Sequence, residues 1–536
     1  MRSALFSVLY AFGAQFVAPA VAISSDLDSE TSAHGSVVSS LSVGLSSGDI
    51  RKGLSPIPSS VLENLSLDDA VRLAEERNPV IQERFQSFVA ARNQLGAVYA
   101  TWWPTITADL EFGWYGENAY YNYSGALAGL TTSSEFASST SSGKGTCSSS
   151  SSYLYCKSFS SNYGQGVSTL ELDWAIFDPA RQPRIDKNRF LVDESNSDYV
   201  IAQRDYALKT RESFVELQRY LAGVQTSSLL VENDRLLLRL SKARQRLGVA
   251  SELDVAKQIT VLKSDEVNQV TARQNVRVAQ AKLAQLLNDP LAVSILPSSV
   301  LAPLGGWNVS LGDTIQSALS YRQVIEKQFA IVRQNEQQAR IDLAAYLPTI
   351  SLVNSLYWTK GVGYTGLGPP WIIDSARSDL WDAQSVLTIK FTAFDGGKAR
   401  MEAESSKAKA LAATRALDDS INAVVSEVRE YFSRVQEGRE AVVLASKRVD
   451  AASNALRLQS MRFGAGYGTI TDVVQSQQDL TQSVDAYIKQ LGDYNLALVN
   501  LSRASGVDFV LDPELVNEVG NPLSQVTIGQ DLGLAN

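Results

Sequence analysis

Two hydrophobic periodicities alternate along this chain, and the boundaries between them recur. Apolar positions follow a helical period from Ser66 to Tyr99, opened by Leu65-Ser66-Leu67-Asp68-Asp69-Ala70. Ser66 can cap that helix, and Asp68 and Asp69 fall in its first turn, where acids favour the helix dipole. After Pro104 the period drops to two. Ile106, Ala108, Leu110, Phe112 and Trp114 point one way, and Thr105, Thr107, Asp109, Glu111 and Gly113 the other. Leu170, Leu172, Trp174 and Ile176 alternate in the same manner. The helical period then returns for a very long stretch. No proline interrupts Arg184 to Asp289, so a helix of on the order of 100 Å is predicted from Asp178 to a turn at Arg244.

The whole pattern is then repeated. Ser310 opens a second capped helix, Pro348-Thr349-Ile350 starts a second pair of strands, and both are displaced by 244 residues from Ser66 and Pro104. Ile350, Leu352, Leu356 and Trp358 form one strand face; Leu387, Ile389, Phe391 and Ala393 form the next. Phe177-Asp178 recurs as Phe394-Asp395-Gly396-Gly397, and a second proline-free stretch runs from Trp371 to Asp512. Within it Leu417, Ile421, Val424, Val428, Tyr431 and Val435 step by fours and threes, as do Leu480, Val484, Tyr487, Leu491, Tyr494, Leu498 and Leu501. Such spacing predicts helices coiled about one another with a left-handed supercoil. Each long helix ends in a glycine-bearing turn. Arg244 to Val255 and Arg462 to Val473 match in Arg, Gly, Ser/Thr, Asp and Val at an offset of 218 residues.

Each strand pattern runs for about ten residues, the length needed to cross a membrane, with Trp102, Trp103, Trp174, Phe177 and Phe394 near the ends as interfacial anchors. Any one strand alone would read equally well as an ordinary half-buried sheet. Four of them in two hairpins, each fed by a long helix, point to a membrane β-barrel portion on a mainly helical protein. Residues 1–22 have the form of a secretory signal peptide, with Arg2, an apolar core and Ala20-Val21-Ala22. The expected organisation is then a flexible segment over 23–64, a first repeat over 65–290 with its hairpin at 105–177, and a linker over 291–309. A second repeat over 310–506 follows, with its hairpin at 349–394, and a tail over 507–536 ends the chain.

Composition narrows the function. The net charge is -9 with no basic block, which argues against nucleic acid. A single histidine, two cysteines and no HExxH, CxxC, GxSxG or GxxxxGKS pattern leave no expected metal site, no cofactor site and no catalytic centre. Cys147 and Cys156 lie in the serine-rich first hairpin loop, where an oxidising compartment allows a disulfide or leaves two thiols.

Helix, β-hairpin, very long helix, turn and returning helix, performed twice, resemble the TolC family of outer-membrane efflux proteins. The resemblance spans Leu65 to Gly506 and is carried by Asn78-Pro79, Pro104-Thr105-Ile106, Phe177-Asp178, Phe394-Asp395-Gly396-Gly397 and Arg462 to Val473. It implies a homotrimer in outer-membrane lipid, in which each protomer gives four strands to one barrel and its helices to a periplasmic tunnel. It further implies a passive exit duct for multidrug efflux or type I secretion, served by a periplasmic adaptor and an inner-membrane pump of RND or ABC type. Adaptor contacts carried over are Arg244, Leu247, Gly248 and Val249 in the first turn, and Arg462, Gly466, Tyr467 and Gly468 in the second. Asp472 matches an aperture-lining aspartate and Asp254 its first-repeat counterpart; on residues alone, Asp472 equally caps or solvates a helix start. The family's second aperture acid is Gln475 here, and its tyrosine–arginine latch is replaced by Phe463 and Gly468. A diffusion porin would spend its length on strands, and a periplasmic coiled-coil scaffold would have no aromatic-flanked outward strands.

Overall fold

The computed structural model describes residues 57–124, 154–289, 294–365 and 375–520, with 292 and 522–523. The signal peptide and the Cys147–Cys156 pairing fall outside the described residues.

The first helical stretch is two helices, α1 (Leu67–Arg77) and α2 (Pro79–Tyr99). Ser66 Oγ accepts from Asp69 N–H, as its sequence predicts. The break comes at Asn78, whose extended backbone ends α1 while its Oδ1 accepts from Val80 N–H at 2.9 Å. Pro79 lacks the N–H that a continuing helix would need. Strands β1 (Thr105–Ser124) and β2 (Leu154–Phe177) follow, then α3 (Arg181–Arg246) and α4 (Glu252–Leu286). The second half repeats this as α5 (Leu311–Tyr321), α6 (Gln323–Ala344), β3 (Thr349–Thr365), β4 (Ser375–Lys390), α7 (Lys398–Gly464) and α8 (Ile470–Ser505). A short α9 (Pro513–Val519) packs on α7. Here the break between α5 and α6 has no proline. Arg322 holds an extended backbone, and its buried guanidinium reaches Glu427 of α7 at 2.7 Å. Order also starts earlier than Leu65, because Leu62 and Leu65 are buried and tied to the linker through Leu62 O and Leu296 N–H at 2.8 Å.

At 66 and 67 residues, α3 and α7 each span about 100 Å. The shorter helices lie beside them in two tiers. On the strand side the order is α2, α3, α6, α7; on the turn side it is α4, α3, α8, α7. Each turn-side helix stops where a strand-side pair breaks. Asn288, just past α4, donates from Nδ2 to Arg77 O at 3.0 Å, and Gly506, ending α8, lies so close to Tyr321 that a Cβ would be 3.1 Å from it. The α8 stripe from Leu480 to Leu501 is buried throughout, so its period did mark the core between hairpins. The linker and tail meet at this middle level, with Gly306 and Val510 exchanging backbone hydrogen bonds. A Cβ on Gly305 would stand 2.4 Å from Val510 O, so only glycine fits there.

The strands form one antiparallel sheet in sequence order, β1-β2-β3-β4. They are longer than the ten residues that alternation marked, since pairing continues beyond the apolar stretch, through Ser124 opposite Leu154 and Thr365 opposite Ser161. At the sheet's base the chain is clamped to the helices. Trp174 Nε1–H donates to Trp102 O at 3.0 Å, and the Arg181 guanidinium sits 4.4 Å from the Trp102 ring centroid. Opposite, Asp395 accepts from Gly397 and Ala399 N–H groups at 2.8 Å, starting α7 after two left-handed glycines.

Candidate functional site

The two turns at the far end of the long helices have one design. In the first, Val249 N–H bonds to Arg244 O and Gly248 N–H to Gln245 O; in the second, Tyr467 N–H bonds to Arg462 O and Gly466 N–H to Phe463 O. This paired closure needs a left-handed residue after the helix, met by Gly248 at φ +73° and Gly466 at φ +91°. Each returning helix then opens on a reciprocal cap. Ser251 and Asp254 exchange hydrogen bonds in the first turn, Thr469 and Asp472 in the second. Leu247, Val249 and Tyr467 project into solvent, Tyr467 with 83% of its surface exposed.

The two aspartates therefore do act as caps in the protomer. Asp472 Oδ2 accepts from Thr469 Oγ1 at 2.8 Å and from Thr469 N–H at 3.2 Å; Asp254 Oδ2 accepts from Ser251 Oγ at 2.8 Å and Ser251 N–H at 2.9 Å. These bonds hold both carboxyls below the usual carboxylate range, so both are charged at neutral pH. Asp472 remains exposed and Asp254 half-buried. Gln475 is exposed as well and donates to Asp479 on its own helix at 3.0 Å. Phe463 differs from the other candidates, being only 3% exposed. Its ring lies under the Arg244 guanidinium, 4.3 Å from centroid to Cζ, and Arg244 also donates to Phe463 O. Gly468 packs against that backbone, since a Cβ would be 3.0 Å from Phe463 N. Lys257 Nζ reaches Thr471 Oγ1 at 3.2 Å. The hairpins are thus joined at the tip by Arg244–Phe463 and Lys257–Thr471, cross-contacts that no periodicity marks.

At the opposite end the sheet has two unlike faces. Register places Ile106, Ala108 and Leu110 beside Leu172, Leu170 and Ser168, and Leu352, Leu356 and Trp358 beside Leu387, Ala383 and Trp381. The other face carries Asp109, Glu111, Glu171, Asp173 and Asp382. Both faces are exposed in the protomer, and the apolar one carries large side chains, with Leu110, Phe112, Trp114 and Trp381 each about 70% exposed or more. Phe112 and Trp114 lie across Gly166 and Gly164, where a Cβ would come within 3.1 Å of either ring. The hydrogen-bonding edges of β1 and β4 have no neighbouring strand among the described residues.

The family model for outer membrane efflux proteins matches residues 70–289 and 314–507. The chain belongs to the outer membrane efflux protein family. As a member it resides in the outer membrane, extends into the periplasm and is an export channel; family and fold are those of channel proteins rather than enzymes. Protein CyaE of Bordetella pertussis is 20% identical over 453 residues, 84% of this chain and 86% of that protein. The pyoverdine export outer membrane protein OpmQ of Pseudomonas putida is 24% identical over 287 residues, and the match spans 53% of this chain and 58% of the relative. Among solved structures, the Campylobacter jejuni CmeC outer membrane channel superposes with a TM-score of 0.65 at 16% identity, covering 88% of this chain and 93% of that one. The mainly helical fold with its four-stranded membrane sheet is the one these channels share.

Proposed function

We propose that three copies of this outer membrane efflux protein close into one duct, a twelve-stranded barrel continued by a helical tunnel, through which substrate handed over by an inner-membrane pump leaves the cell. The observation that carries this reading is the pair of open edges. A four-stranded sheet with an apolar outward face cannot stand alone in lipid, where every backbone group needs a partner. The helical layer is open in the same places. α4 exposes Leu253, Val267, Val270 and Val278, and α7 exposes Met401, Leu411, Leu444 and Leu458, so the free flanks match as neighbouring surfaces. The acid-bearing sheet face then lines the water-filled bore.

The duct is passive, and an inner-membrane pump of RND or ABC type supplies the energy through a periplasmic adaptor. The adaptor meets the tips at Arg244, Leu247, Gly248 and Val249 and at Arg462, Gly466, Tyr467 and Gly468. Tyr467, Leu247 and Val249 supply exposed apolar contact there, on turns held rigid by their double hydrogen bonds. Asp254 and Asp472 line the mouth as acidic rings that favour cations. Gln475 lies one helical turn on from Asp472, and buried Phe463 braces the mouth from behind. The halves 65–290 and 310–506, joined by 291–309 and followed by 507–536, are the two structural repeats of this machine.

The test is to purify the processed protein in detergent and insert it into planar bilayers. Heat-resistant trimers and discrete single-channel conductance are expected. A monomer without conductance would overturn the reading.

A further inference from the structure

About 20 Å above the first turn, a polar cluster sits where the core stripe should be apolar. Asp234 of α3 is fully buried among Leu230, Val231 and Leu237. Its Oδ1 accepts from Gln258 of α4 at 3.3 Å and from Gln477 of α8, so two helical hairpins meet on one carboxyl oxygen. Gln258 and Gln477 are themselves 0% and 1% exposed. Each amide nitrogen gives one N–H to Oδ1. This leaves Asp234 Oδ2, Gln258 Oε1 and Gln477 Oε1 buried without a hydrogen-bond partner. Asp265 of α4, also buried, turns its carboxyl to Asp234 from the same hairpin. Three buried acceptors without a partner thus surround a carboxyl that a second carboxyl faces, and Asp265 takes its own hydrogen bond from Asn268 Nδ2 at 3.1 Å; a proton on Asp234 would supply the donor this cluster lacks.

We propose that Asp234 is a proton-binding site at the joint between the hairpins, and that losing this proton loosens α8 from α3 and α4 above the tips. With the proton on Oδ2, the carboxyl becomes a donor to Asp265 or a glutamine oxygen, and the acceptor excess is relieved. Without it, a buried anion faces a second carboxylate. The groups bearing on it are few. From α4 the titratable neighbour is Asp265; α8 brings the uncharged amide of Gln477, while its Asp485 acts on Asp265 rather than Asp234. No lysine or arginine figures among the groups acting on it. Burial first, and then the charge of Asp265, pushes the Asp234 carboxyl up to about 8.

The sign follows from that raised value. The folded joint holds a proton that the unfolded chain releases in the acid range, so the joint weakens as pH rises towards about 8 and has lost the proton above it. The site is separate from the tip aspartates, whose carboxyls are pushed the opposite way. Any effect on the mouth of a channel rests on the function proposed above; the proton itself does not.

Infrared difference spectra of the full-length protein between pH 6 and 9.5 test the proton directly. A protonated-carboxyl band that disappears with a midpoint near pH 8 in the wild type, and is missing from Asp234→Asn, is the expected result. Asp265→Asn, which removes the like charge, should lower the midpoint. Hydrogen exchange, corrected for its intrinsic pH dependence, should rise about tenfold per pH unit from pH 6 up to the midpoint and level off above it, in peptides covering 226–240 and 473–485. Asp234→Asn should abolish that rise. Absence of the band at pH 6, or exchange in the wild type that ignores pH, overturns the proposal. Both readings are made on protein in detergent and do not depend on conductance, so failure here and failure of the duct reading are told apart.

Discussion

Two aromatic residues four positions apart at the second turn have opposite environments, and substitution should separate them. Phe463 is buried beneath Arg244, so Phe463→Ala removes a stacked ring and loosens the tie between hairpins. We expect a cost of about 3 kcal/mol, read as a lower thermal unfolding midpoint. Tyr467 touches little of its own protomer; Tyr467→Ala should leave that midpoint unchanged and weaken adaptor binding measured on immobilised protein. Asp472 can be probed without disturbing its helix, because asparagine still accepts from Thr469. Asp472→Asn should therefore weaken block of the conductance by trivalent cations several-fold, and unchanged block would remove Asp472 from the mouth. Thr469 holds this carboxyl below its ordinary range. Its capping contribution is accordingly present at neutral pH and lost only as pH falls through that lowered value. At this scale the sequence was uneven. Gly248, Gly466 and both caps were readable from turn chemistry. Asp234 was not, since an aspartate in a helix ordinarily signals water; the missed sign was its spacing, four after Leu230 and three before Leu237, with Gln477 likewise between Val473 and Leu480.

Elements were far more legible than their interruptions. Periods of two and of about 3.6 survive any tertiary context that buries one face, and they marked the strands and long helices. The break at Asn78 carried a proline, but the one at Arg322 carried nothing local; it exists because a buried arginine reaches Glu427 on α7. The strands outgrew their pattern for the opposite reason, since backbone pairing persists where side chains cease to alternate. The two faces of the sheet give a prediction at this scale. Leu356→Arg, on the apolar face between Leu170 and Ala383, should destabilise the protein in lipid vesicles by about 2–4 kcal/mol, if it lies near the bilayer midplane. Ser355→Arg, one residue away on the polar face, should cost far less. Equilibrium unfolding from vesicles measures both.

For the whole molecule, two long helices run unbroken, and every other helix in the layer is shorter and abuts a neighbour end to end. That arrangement has a mechanical meaning. A push on the tip of α8 travels along the helix only as far as Gly506, where the chain turns away beside Tyr321, and the strand-side α6 begins anew past Arg322. The same is true of α4, which stops at Leu286, its cap Leu287 lying beside the Arg77–Asn78 break. Strain raised at one end of the molecule is therefore cut off at mid-length in half of its helices. The turn-side tier of helices can twist, bend or separate while the strand-side tier and the sheet keep their arrangement, much as a flexible nozzle turns on a fixed pipe.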